Sequence, residues 1–464
     1  MTEQVPWAWG LGLTIGAGIA AAVWGAGVAS AAPADAETSS GTPSVTSPVA
    51  HRSSVSARRT PDGAQARTQP TVSLDGGNRA RILRGTAAAV SPARVASRNR
   101  IPVTAPAVSP AVGGDGSAAA AAVVQPAGDY VLIRRSDLMS KPTSGPGWDF
   151  LKAQASAVWE TPELSKLDTK TPAMVMAAAL VYARTGDVSY RDKVIAAITK
   201  VPGTEKKTDV VLPFARNIFG YVVAADLVGM PLNTVTSNGQ TWLAFLQQAR
   251  TEQFPGNTRW ISLEKTSGDS AGNWNAYALS SHLAISIVLG DEVAVARDIA
   301  VYRRFLGDTT SPWPAFNPTT GYSWNNNGRT WDLSSTLQRG INPDKPGDPR
   351  SGAIIVDALR HTALTSVACC KVDLAGRAYT EETLDALLAI NMVLKARGMD
   401  FTDFQNQAIR RAYAFLARNG GPSGYSNGRF LALAMNNLYG TTYSTAAGDS
   451  VARHLGFGRW LVTR

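Results

Sequence analysis

Cysteine is almost absent from this chain of 464 residues: the only two are Cys369 and Cys370, side by side. Adjacent residues cannot close a long loop, so a disulfide scaffold is excluded, and so is a cysteine-rich zinc site. A vicinal bridge would be a strained small ring, and two packed thiols near a helix end are the simpler reading. Histidine is scarce as well. The four present (His51, His282, His361 and His454) never recur at ligand spacing, which points to no metal and no cofactor. Charge is thin, with 17% of residues charged against 44% hydrophobic and a net charge of +10. The residues before Gly128 hold ten Arg and no Lys against six acids, a net +4, and the other +6 is spread over more than 300 residues. So mild a bias suits an acidic substrate, a polyanionic surface or simple solubility, and does not make a nucleic-acid-binding face.

What is present divides the chain into three parts. The length allows two or three average domains, or one large helical domain with extra segments. Trp7 to Val28 is an almost unbroken apolar run, followed by Ala29-Ser30-Ala31. Small residues three and one before Ala32 make the pattern that signal peptidase reads, so residues 1–31 are expected to be a signal peptide. Glu3 and the lack of Lys or Arg before Trp7 depart from the usual positive start. The alternative is an uncleaved anchor, since ~20 apolar residues suffice to span a bilayer. Residues 32–128 are rich in Ser, Thr, Ala, Pro and Arg, without aromatics or lasting apolar periodicity. Such a segment cannot bury enough apolar area to offset its ordering entropy, and reads as a disordered linker. Its arginines suit contact with an acidic cell envelope; a passive tether is the plainer alternative.

From Asp129 onward the pattern becomes helical. Met174 to Arg184 is an Ala-rich apolar run stopped at Gly186-Asp187; Ala276 to Leu289 stops at Gly290-Asp291, and Leu384 to Arg397 stops at Gly398. Each is followed by a second helical run. Glycine after a helix supplies a left-handed cap, and an acid beyond it suits the start of the next helix. The first runs are apolar nearly all round and must be covered on both sides, while β-branched alternation is scarce. Residues 129–464 are therefore predicted to be all-α, a stack of helical hairpins forming a solenoid or, preferably, a closed (α/α) toroid.

Tryptophan is concentrated in one stretch. Outside the first segment, five of nine (Trp260, Trp274, Trp313, Trp324 and Trp331) fall between residues 260 and 331, near Asn325-Asn326-Asn327. Flat aromatic faces beside amides and arginines are what sugar rings use, whereas Trp242 reads as core. The run Gly268-Asp269-Ser270-Ala271-Gly272-Asn273-Trp274-Asn275-Ala276-Tyr277 opens straight into an apolar helix. Asn273 and Tyr277, four apart, share a face; His282, nine past Asn273, falls about half a turn out of phase and reads as a hydrogen-bonded structural residue.

The run from Ser270 through Asp291, with Leu180 to Asp187 before it and Gly340-Ile341-Asn342-Pro343 after it, resembles the alginate-lyase-type polysaccharide lyases. More closely, it is similar to the secreted actinobacterial proteins that carry an alginate lyase domain, over roughly Trp148 to the C-terminus. The resemblance implies an (α/α) toroid that cleaves a uronic-acid polysaccharide by β-elimination. It implies an Asn followed by a His, then an Arg, then a Tyr at the start of the next helix. The Asn falls on Asn273, the His position holds Trp274, the Arg falls on Arg360, and the Tyr best matches Tyr379. Trp274, Tyr277, Trp324 and Trp331 are the candidate substrate-binding residues.

The residue types suit the chemistry independently. Removing the C5 proton of a uronate requires its carboxylate charge to be neutralised, which an amide and a guanidinium do. A tyrosinate beside Arg takes that proton, and the phenol returns one to the leaving C4 oxygen. The bland alternatives are an ion pair of Arg360 with Asp357 and a buried aromatic at Tyr379. Two other functional classes stay open. A glycoside hydrolase needs two facing carboxylates, with Asp269, Asp332 and Asp357 as candidates. A non-catalytic envelope glycan-binding protein needs only the aromatics. For the linker, limited proteolysis should trim residues 33 to about 127 and leave the remainder intact; a protected fragment lying inside that range would contradict it.

Overall fold

Alanine-rich apolar runs that end at glycine make helices here, and the described residues are all-α. The computed structural model describes residues 129–206, 210–256, 260–316, 340–344, 346–358, 372, 374–423, 428–445, 454–455 and 458–463. The expected signal peptide and linker, Trp324, Trp331, Asp332, Arg360 and the cysteine pair lie outside the described residues.

Fourteen helices lie within the described residues. In chain order they are α1 (Arg135–Ser140), α2 (Pro146–Ser156), α3 (Thr171–Thr185), α4 (Val188–Ile198), α5 (Val211–Leu227), α6 (Trp242–Ala249) and α7 (Leu263–Ser267). Then come α8 (Asn273–Val288), α9 (Glu292–Phe305), α10 (Ile355–Ala358), α11 (Leu374–Ala396), α12 (Phe404–Arg418), α13 (Gly428–Tyr439) and α14 (Gly458–Val462). Among these residues there is no β-sheet, only the isolated bridges Val235–Thr241, Leu306–Gly340 and Ile341–Ile354. None of the described helices is long and apolar enough to cross a membrane.

The three stop glycines act as the sequence suggests. Gly186, Gly290 and Gly398 have φ of 78°, 67° and 87°, in the left-handed region that ends a helix. The acids after the first two cap the next helix: Asp187 accepts from the Ser189 N–H and Asp291 from the Ala294 N–H, each at 3.0 Å. One boundary differs. α11 starts at Leu374, ten residues before the apolar run at Leu384, so Tyr379 lies in its second turn and not at its start. Gly376 conceals this beginning, because glycine costs a helix interior about 1 kcal/mol. A Cβ there would run into the carbonyl oxygen of Ala358, which a glycine avoids.

Burial sorts the helices into two kinds. Every residue of α5 except Asp226 is buried, and α3 and α8 are nearly as enclosed. α4 and α9 bury one stripe and show the other side to solvent. The enclosed helices pack in series, α3 on α5, α5 on α8, α8 on α11 and α11 on α13. α13 then packs on α14, α14 on α2, and α2 on α3. The two ends of this series are tied by the Trp148–Trp460 ring pair, 5.6 Å between centroids, and by Trp460 Nε1 donating to the Pro142 carbonyl at 2.9 Å. A cavity of about 930 Å³ lies where α5, α8 and α11 end, lined by Asp226, Val288 and Ala396 and by Tyr130 and Val131 of the segment leading in. There Asp226 accepts the Val131 N–H at 2.7 Å, and burial pushes its carboxyl up to about 6.

Gly220, midway along α5, sits against the first turn of α3. A Cβ on it would meet Pro172 Cβ and the Pro172 carbonyl oxygen, each at 2.9 Å. Alanine in a helix gains up to about 1 kcal/mol over glycine, while overpacking costs about 1–3 kcal/mol. Because one of the opposing atoms is backbone, the clash should win. Gly220→Ala should lower stability by about 1–2 kcal/mol in a denaturant titration; an unchanged or raised midpoint would show that α3 yields.

Candidate functional site

At the other end of the enclosed helices, side chains of α5 and α8 meet on one carboxylate of α11. α8 begins at Asn273, and its first turn is fixed by the Gly272 N–H donating to Asn275 Oδ1 at 3.3 Å while Asn275 Nδ2 donates to the Thr266 carbonyl at 2.6 Å. Asn273 Oδ1 accepts the Trp274 N–H at 3.0 Å, which turns the amide nitrogen the other way. That nitrogen donates to Glu382 Oε2 at 2.6 Å. Arg216, from the second turn of α5, donates through Nη2 to the same oxygen. Its guanidinium also lies over the Tyr277 ring, 5.2 Å from the centroid, so Asn273 and Tyr277 do work on one side of α8.

Tyr379 precedes Glu382 by three residues on α11 and so shares its face. It is half-buried, whereas Asn273 and Tyr277 are fully enclosed. The side chains of Arg216 and Glu382 are 5% and 15% exposed, so the carboxylate is the member of the ion pair nearer to solvent.

A second layer lies one turn deeper. His454 is buried, its ring stacked on Phe219 of α5 and edge-on to Tyr277 of α8, each 4.5 Å between centroids. Its Nε2 is 2.6 Å from Ser280 Oγ, and its backbone N–H donates to Asp385 Oδ2 at 3.0 Å. Asn273, Tyr277 and Ser280 on α8 thus run parallel to Tyr379, Glu382 and Asp385 on α11, at helical spacing.

The tryptophans separate. Trp242 is core, as its sequence suggests. Trp274 packs on Trp260 with centroids 4.9 Å apart, leaving 9% of the residue exposed, and Trp260 Nε1 donates to Asp269 Oδ2 at 2.7 Å. Trp313 donates to the Gly268 carbonyl at 3.0 Å beneath the Arg297 guanidinium. Trp324 and Trp331 fall outside the described residues, as does Arg360. Asp357, the helix-mate expected for Arg360, accepts a hydrogen bond from Thr383. His282 turns to the neighbouring helix, its Nδ1 2.6 Å from Asp298 Oδ2. Among the described residues no cluster of His, Cys, Asp and Glu has the makings of a metal site.

No family model, curated protein or solved structure matches the chain.

Sequence reasoning passed over Arg216, Glu381, Glu382 and His454. Arg216-Asn217 had left a trace, as a polar pair inside an otherwise apolar run from Val211 to Ala225. The carboxylates at 381 and 382 resemble any solvated helix face until their neighbours are known. Glu381 is fully buried on a different side of α11, where one oxygen accepts from the Ser423 N–H. Burial pushes its carboxyl up to about 7, aided by Glu382 and opposed by Ser423 and Arg377. A folded value above the unfolded 4.5 means that stability falls as pH rises from about 4.5 to 7 and then levels off. Glu381→Gln should therefore become increasingly more stable than the parent across that window, by on the order of 3 kcal/mol at the plateau. Thermal melts from pH 4.5 to 8 test this, and a difference that does not vary with pH would refute it.

Proposed function

We propose that residues 129–464 form an (α/α) toroid of the alginate-lyase type, secreted or held at the cell envelope, that cleaves a uronic-acid polysaccharide by β-elimination. The return of the helix contacts to their starting point supports the toroid. The observation that carries the activity is the convergence of an amide and a guanidinium on one carboxylate, one helical turn from Tyr379. Asn273 and Arg216 are both hydrogen-bond donors at that point, the pairing needed to spread the charge of a uronate as its C5 proton leaves. Arg360 is the second guanidinium proposed for this work.

Tyr379 takes the proton in this scheme. A tyrosine hydroxyl ordinarily ionises near pH ~10, so a base at neutral pH needs a cation beside it. The C5–H bond breaks, its electrons form the C4–C5 double bond, and the glycosidic C4–O bond departs with a proton returned by the phenol. Trp274 and Tyr277 serve as walls behind the polar groups, with Trp324 and Trp331 as proposed sugar-stacking residues. The arginine-bearing linker is proposed to rest on acidic envelope polymer.

A glycoside hydrolase is the second reading, because Glu382 is a partly exposed carboxylate beside Tyr379. It needs a second carboxylate across the cleft, and of the described candidates Asp269 is engaged by Trp260 and Asp357 by Thr383. Uronic-acid polysaccharides should give product with the ultraviolet absorbance of the new double bond. New reducing ends without that absorbance would mark a hydrolase, and binding without product a glycan-binding protein. Tyr379→Phe should abolish turnover and leave binding largely intact, because only the proton-transferring hydroxyl is lost. Arg360→Ala should weaken both.

A further inference from the structure

The amide–guanidinium pair already holds a carboxylate of the protein itself. An arginine carries five N–H donors, and its Nε and Nη2 edge is shaped to take both oxygens of a carboxylate side by side. In Arg216 that edge is half used: Nη2 donates to Glu382, while Nε is buried with no hydrogen-bond partner among the described residues. With 5% of its side chain exposed, Arg216 has little water to fill the gap. Glu382 also loads two donors, Arg216 and Asn273, onto a single oxygen. On the Arg216 edge it supplies one oxygen where two would fit.

The charge balance has a consequence. Arg216 with Glu382 is neutral, so a uronate carboxylate entering beside them would bring two carboxylates together without a second cation from this pair. Asn273 cannot turn to help, because its Oδ1 is taken by the Trp274 N–H. Glu382 is the more exposed partner and stands one turn from Tyr379, where a sugar ring would arrive.

Resting on the lyase reading, we infer that Glu382 is a specificity-determining residue. Its carboxylate holds the place of the substrate's acid group on Arg216 and Asn273, and an incoming uronate carboxylate displaces it and takes the full Arg216 edge. A neutral sugar, which brings no carboxylate, leaves Glu382 in place.

The test is calorimetric titration of the full chain with trimannuronate, using neutral mannotriose as control. Glu382→Gln removes the competing charge and should bind trimannuronate at least about tenfold more tightly than the parent, with mannotriose unchanged. The gain should vanish in the double variant Arg216→Gln/Glu382→Gln. If Glu382→Gln does not fold, Glu382→Asp withdraws the carboxylate by one methylene and should tighten trimannuronate about threefold. Equal or weaker binding by a folded Glu382 variant, while the parent still forms unsaturated product, overturns the inference alone. A gain that persists in the double variant also overturns it, as a general charge effect. If the parent yields no unsaturated product while Glu382→Gln shows the Arg216-dependent gain, the lyase reading falls and the inference stands. If neither protein binds trimannuronate and no product forms, both fall.

Discussion

One carboxylate oxygen, Glu382 Oε2, ties three helices together. It accepts from Arg216 of α5 and from Asn273 at the head of α8, and it belongs to α11. Removing an arginine and a glutamate from water costs several kcal/mol per ion, and only close pairing with further hydrogen bonds offsets that. The pairing fixes the axial register of the helices, because sliding α11 along α8 by one turn would leave a buried charge without its partner. The same register brings Tyr277, Ser280, Asp385 and Phe219 around His454 in the layer below.

The direction of the enclosed helices follows from the same register. Arg216, Asn273 and Glu382 come from the N-terminal portions of α5, α8 and α11, whereas Asp226, Val288 and Ala396 line the cavity at their C-terminal ends. The three helices therefore run the same way, each return being made by other helices such as α9. Side chains at the N-terminal end sit in the favourable field of the helix dipoles, which suits a carboxylate there, whether from the protein or from an acidic sugar. At the far end the dipoles present carbonyls, and there burial pushes the carboxyl of Asp226 upward, to about 6.

Much of the architecture was legible in the amino-acid sequence. Helix stops at Gly186, Gly290 and Gly398 depend on local backbone preference, which a glycine at the end of an apolar run declares openly. All-round apolar runs declare enclosure, as Val211 to Ala225 does. Asn273 was recognisable because it opens a helix, and Tyr277 because it lies four residues on. The start of α11 was not recognisable, since Gly376 is a poor helix residue whose justification is the Ala358 carbonyl lying against it.

Local pattern thus determined helix content, helix stops and which segments must be covered, because backbone preference and apolar periodicity act over a few residues. Tertiary structure alone decided which polar groups meet. Arg216, Asn273 and Glu382 are separated by 57 and 109 residues in the chain, and nothing within a few residues of Glu382 says that its carboxylate receives a guanidinium and an amide. Glu381 and Glu382 are chemically identical neighbours, yet one is buried near a backbone N–H with its carboxyl pushed up to about 7, and the other is the anchor of an ion pair. The difference is the roughly 100° that each residue turns about a helix axis, which points the two side chains at different neighbours once α5, α8 and α12 are packed in place.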